Sequence, residues 1–161
     1  MNFLSRQFRA RMNAWKGVLA ALVLVVAEPA GAQVPDPFAH DLARGLAQAE
    51  TELGEHGFSR VAGPFAGGLP ARLTRRVQLT LRAGQQYEVI GVCDVRCRDL
   101  NLRLFDANDR LVSEDVLTNN VPVLDVRPSS TGLYSIEVEM AQCAGDPCYF
   151  AFNVYARWGG G

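Results

Sequence analysis

The sequence predicts an all-β protein: an antiparallel β-sandwich preceded by one α-helix and a cleavable signal peptide. Three observations carry this. From about Leu73 to Val154 apolar residues recur at every second position, the period of a strand with one buried face. Clusters of turn-forming residues divide that stretch into short segments. The first 32 residues have the three-part layout of a secretory signal. The chain thus divides into a signal peptide (1–32), a helix with its linker (33–62) and a sandwich domain (63–161).

In the leader, the basic residues Arg6, Arg9, Arg11 and Lys16 precede the apolar run Gly17 to Ala27 (GVLAALVLVVA), and Pro29 precedes the small triplet Ala30-Gly31-Ala32. Cleavage is expected between Ala32 and Gln33. A membrane span needs about 20 apolar residues, whereas this run ends after eleven. No cysteine follows the triplet to carry a lipid. The mature protein is expected to be soluble, periplasmic or secreted, with no membrane span after cleavage.

Composition narrows the function classes. The 161 residues are 48% hydrophobic and 20% charged, ordinary for a globular chain and unlike a collagenous or low-complexity one. Of 16 basic and 17 acidic residues, the leader holds four and one, so the remainder keeps 12 against 16, a net of −4, with no lysine. Such a chain has no electrostatic reason to coat nucleic acid or anionic lipid.

Asp36 followed by Pro37 reads as a helix start, with an acceptor at the cap and proline in the first helical position. Phe38, Leu42, Leu46, Ala49 and Leu53 then recur at helical spacing, and Gly54 or Gly57 can end the helix. The stripe is narrow, as for a helix that covers part of its own domain's core. The stretch Ala62 to Ala71 (AGPFAGGLPA) is rich in glycine and proline and reads as a connecting loop. It has neither the lysine nor the preceding strand of a phosphate-cradling loop.

The strands follow in order. Val77, Leu79 and Leu81 alternate with polar neighbours, and Tyr87, Val89 and Gly91 resume the pattern after the Ala83-Gly84 turn. Leu100, Leu102 and Leu104 alternate with Asp99, Asn101 and Arg103. Tyr134, Ile136, Val138 and Met140 alternate with Ser135, Glu137 and Glu139. Phe150, Phe152 and Val154 make the last strand, read as a hairpin with the one before. Turns fall at Ala107 to Asp109, Thr118 to Asn120 and Pro128 to Gly132. This spacing suits two antiparallel sheets packed face to face.

All four cysteines, Cys93, Cys97, Cys143 and Cys148, lie in the mature part, and an even number suits an oxidising compartment. The segments CDVRC and CAGDPC sit where a strand ends in a turn, so local closure is geometrically available. This favours Cys93 with Cys97 and Cys143 with Cys148 over bridges between the two loops. A four-cysteine zinc site would more commonly use C-x2-C spacing.

The motifs LRAGQQYEVIG (Leu81 to Gly91), DLNLRLFDANDRLVSED (Asp99 to Asp115) and RPSSTGLYSIEVEM (Arg127 to Met140) resemble the bacterial pre-peptidase C-terminal domain. That family is a jelly-roll-like β-sandwich appended to many secreted peptidases and found in other exported proteins. The resemblance spans Arg82 to Tyr155, and the cysteine loops make this chain a disulfide-bearing variant. Where the family has a second aspartate, this chain has Asn101. The motifs are structural, so the resemblance implies a jelly-roll-like fold more than a function.

Candidate chemistry is sparse. His40 and His56 are sixteen residues apart on the expected helix, too far to share a metal from one face. The expected sandwich has no histidine to activate a nucleophile, and no catalytic residue is assigned. Asp94, Asp99, Asp106, Asp109, Glu114 and Asp115 read as solvated turn residues beside Arg96, Arg98 and Arg110. A carboxylate-dependent hydrolase would need one of them held neutral in a cleft. Calcium is the cofactor that loop oxygens would suit, with Asp99, Asn101, Asp106 and Asp109 as weak candidate ligands; no other metal or cofactor is indicated. Tyr149 and Tyr155 share one side of the last strand, opposite Phe150 and Phe152, and with Trp158 could form an exposed binding face. The expectation is a non-catalytic exported module that binds a protein or a cell-envelope polymer. The alternatives are the hydrolase and a structural envelope protein that docks through its helix.

Overall fold

The computed structural model describes residues 33–158, so the expected signal peptide lies outside the described residues. One helix, α1 (Asp36–Glu55), is followed by eight strands: β1 (Phe58–Leu69), β2 (Thr74–Leu81), β3 (Gln86–Cys93), β4 (Cys97–Phe105), β5 (Leu111–Asp115), β6 (Val123–Val126), β7 (Gly132–Cys143) and β8 (Cys148–Arg157). They form two four-stranded sheets, ordered β1-β8-β3-β6 and β2-β7-β4-β5. All ladders are antiparallel. The chain is a long folded hairpin rolled on itself: β1 pairs with β8, β2 with β7, β3 with β6 and β4 with β5. This nested order is the eight-stranded jelly roll.

The alternating residues form the core. Val89, Leu100, Leu102, Leu104, Leu124, Ile136, Val138, Met140, Phe152 and Val154 are fully buried between the sheets. Two chain segments depart from the sequence-based expectation. The glycine- and proline-rich segment is strand β1, so the sandwich starts at Phe58, ahead of the expected boundary at 63. Its glycines allow close packing on neighbouring strands. A Cβ on Gly67 would lie 2.7 Å from the Arg75 guanidinium, and one on Gly68 would lie 3.0 Å from the Tyr149 ring. The last two strands are not a hairpin: β7 and β8 lie in opposite sheets. The Cys143–Cys148 loop carries the chain across the sandwich.

Helix α1 starts as expected, but the cap is Pro35 rather than Asp36. The Pro35 carbonyl accepts the Phe38 and Ala39 N–H groups, each at 3.0 Å. Leu42 and Leu46 pack on Val92 and Ala151, while Ala49 and Leu53 pack on Phe58, Ile90 and Tyr155. The narrow stripe therefore covers the outer face of the β1-β8-β3-β6 sheet, and among the described residues no element covers the outer face of the other sheet. Among the described residues no helix is long and apolar enough to cross a membrane.

Candidate functional site

Both local disulfides are present, Cys93–Cys97 and Cys143–Cys148, with Cα separations of 5.9 and 6.0 Å. They suit an oxidising, extracytoplasmic compartment. Both lie at the end of the sandwich that carries the β3–β4 and β7–β8 connections. Cys97 and Cys143 are partners in the β4–β7 ladder, and the Ala144 N–H donates to the Arg96 carbonyl at 2.9 Å.

The expected Tyr/Trp face does not exist as one surface. Tyr155 is fully buried beneath α1, where its hydroxyl accepts a hydrogen bond from Asn153 Nδ2 at 3.1 Å. Burial raises its phenol pKa. Tyr149 is half-buried and stacks on Phe38 of α1 at 5.1 Å, and the Arg96 guanidinium lies 3.9 Å from the Phe38 ring centre. Tyr149 and Tyr155 share one side of β8, and that side packs against the helix. Trp158 has the parity of Phe150 and Phe152 and is 60% exposed at the open end of the sandwich.

Two of the carboxylates expected as solvated turn residues, Asp94 and Asp99, are buried instead. Asp94 is fully buried. Its Oδ1 accepts the Arg96 backbone N–H at 2.9 Å and Nε at 3.0 Å, and its Oδ2 accepts Arg96 Nη2 at 2.9 Å and the Tyr149 N–H at 2.6 Å. Burial pushes its pKa up, but the Arg96 fork and the two backbone donors outweigh it and hold the carboxyl below the ordinary range. The cluster ties the disulfide loop to β8 and, through Arg96 and Phe38, to α1.

The four calcium candidates do not converge on one point. Asp106 and Asp109 sit in the β4–β5 turn, where Asp106 accepts the Asn108 and Arg110 N–H groups. The Arg110 backbone and guanidinium hold its pKa down. Asp109 pairs with Arg76 at 2.5 Å. Asp99 and Asn101 are on the outer face of β4, each with a buried Oδ1 lacking a hydrogen-bond partner. Among the described residues no three His, Cys, Asp or Glu side chains are arranged to hold a metal ion.

The open outer sheet face is a charge ladder that single-strand periodicity could not show. Arg76, Glu137, Arg103 and Glu114 lie opposite one another across β2, β7, β4 and β5. Arg76 Nε meets Glu137 at 2.8 Å, and Arg103 meets Glu139 at 2.7 Å and Glu114 at 3.4 Å. The Arg103 and Asn101 donors hold Glu139 below its ordinary pKa. Alternating charges across neighbouring strands satisfy one another.

The edge opposite β1 and β2 is different. Of eleven exposed large apolar side chains among the described residues, six lie here: Leu111, Val112, Val116, Leu117, Val121 and Val123. They belong to edge strands β5 and β6 and to the loop between them. Beside β6 a groove of ≈ 380 Å³ runs under α1, its floor made by Ile90, Val92, Val121 and Val123 and its rim bearing Glu52 and Glu88. Burial, then repulsion from Asp125 opposite it on β6, raises the Glu88 pKa. The apolar residues in VLTNNVPV (Val116 to Val123) were visible in sequence, but strand periodicity does not reveal an edge.

No protein-family model and no curated protein sequence matches the chain.

Proposed function

We propose that this is a periplasmic or secreted, non-catalytic β-sandwich module, and that it binds a protein partner along the β5–β6 edge. The observation that carries this is the concentration of exposed apolar side chains, Leu111 to Val123, on the one sandwich edge with two short edge strands and an apolar groove. Contiguous exposed apolar surface marks interaction sites, and an edge strand offers unpaired backbone groups to an added strand. The rim carboxylates of Glu52, Glu88 and Asp125 suit a partner segment with basic residues flanking apolar ones. The leader-like segment and the disulfides support the compartment. The motifs quoted above are what supports a kinship with the pre-peptidase C-terminal domains.

The non-catalytic reading is supported by pairing: Asp94, Asp106 and Glu139 are each held ionised by an arginine. One observation favours the hydrolase alternative, the raised pKa of Glu88 in a groove that also holds Glu52. Site-specific photo-crosslinking in the native host tests both. A photoreactive residue at Leu117 should give one discrete protein adduct that Val121→Asp abolishes, and one at Gln78 on the open sheet face should give none. Adducts from Gln78 alone, or hydrolysis of a glycan or ester that Glu88→Gln abolishes, would overturn the reading.

A further inference from the structure

A second concavity lies on the other side of the molecule. A cleft of ≈ 440 Å³ opens between the two sheets where β1 and β2 form their facing edges. Its walls are inner-face side chains: Leu79 and Leu81 of β2, Val154 and Ala156 of β8, and Ala62 of β1. At this level β1 shifts register against β8, between Arg60 and Phe65, and such bulges bend the strand that carries them. Trp158 continues the inward parity of β8 beyond its last residue and reaches the mouth of the cleft, largely exposed.

The lining is apolar apart from Thr80, Arg82 and the Tyr87 hydroxyl, and that hydroxyl already accepts the Arg82 backbone N–H at 3.0 Å. Arg82 is the only charged side chain among the described residues that lines the cleft. Among the described residues no carboxylate pairs with it, although the neighbouring strands are laced with ion pairs. The volume is in the range of small-molecule sites, about 300–1,000 Å³, which combine apolar walls with a few placed polar groups.

We infer that this cleft binds a single-chain amphiphile with an anionic head, of the fatty-acid class. The tail lies along Val61, Ala62 and Leu79, over the buried floor of Leu81, Val154 and Ala156, the head meets Arg82, and the Trp158 indole, apolar in body and polar at its N–H, covers the mouth. The net acidity of the chain does not oppose this, because among the described residues no carboxylate lines the cleft. The site is independent of the β5–β6 edge.

The test is NMR titration of the exported protein with dodecanoate below its micelle concentration. Saturable one-to-one binding is expected, with shifts in the Trp158 indole N–H and the Leu79 and Val61 methyls. Affinity should rise about fourfold per added methylene from octanoate to dodecanoate. Arg82→Gln should weaken dodecanoate roughly tenfold while leaving dodecanol unchanged, and Ala62→Phe should weaken both. Absence of saturable binding, shifts confined to Val121 and Val123, or equal affinity for dodecyltrimethylammonium would overturn the inference. The localisation of shifts in the unaltered protein decides the matter even where a variant fails to fold.

Discussion

At the scale of single residues, Asp94 and Glu88 show opposite consequences of burying a carboxyl. Asp94 is ionised among four donors, so its folded pKa is depressed. Its contribution is complete above the unfolded carboxyl value, about pH 4, and is lost as pH falls through the lower folded value. Asp94→Ala removes a buried, hydrogen-bonded charge and should lower stability by roughly 2–4 kcal/mol at neutral pH, with the loss shrinking toward pH 2. Urea midpoints at several pH values check this. Glu88 has a raised folded pKa, so its ionisation costs stability once pH exceeds its unfolded value. Glu88→Gln should therefore raise stability at pH 7 by a few tenths to about 1 kcal/mol, read as a higher Tm, and leave Tm unchanged below pH 4. Neither environment was legible in sequence. Asp94 stands in an ordinary turn string, and only the fold brings the Tyr149 N–H against it.

At the scale of elements, alternation located the strands well because each has one face in a common core: Leu100, Leu102 and Leu104 are all fully buried. Alternation does not say what covers the second face. Tyr149 and Tyr155 follow the correct parity, yet whether that side meets water depended on where α1 packs, a long-range fact. Composition misled at β1, where glycine and proline serve close packing and bulges rather than a loop. Gly63 shows this most sharply: its φ is +101°, and a Cβ there would lie 2.6 Å from Asn153 Oδ1 and 2.9 Å from the Phe152 carbonyl. Gly63→Ala should destabilise by roughly 2 kcal/mol or more, measured by thermal unfolding. The cysteine pairs, by contrast, were legible because local spacing alone supports their closure. Each ring is short, so chain entropy gives about 2 kcal/mol per bridge. Reduction should lower stability by about that much per bridge and leave far-UV circular dichroism of the folded protein unchanged.

At the scale of the molecule, the jelly roll leaves three surfaces besides the β1–β2 cleft, and their chemistry separates them. One sheet face is taken by the helix. The other is a self-satisfied ladder of arginines and glutamates. The β5–β6 edge is exposed, apolar and rimmed with carboxylates, and it is where the account places the partner. Amide hydrogen exchange of the protein alone and in complex with the partner captured by crosslinking measures this most directly. The account predicts slowed exchange across Leu111–Val126, greatest in the loop between the strands and along β6, with Thr74–Leu81 unchanged. Protection confined to β2 and β7, with the β5–β6 edge exchanging as in the free protein, would contradict it.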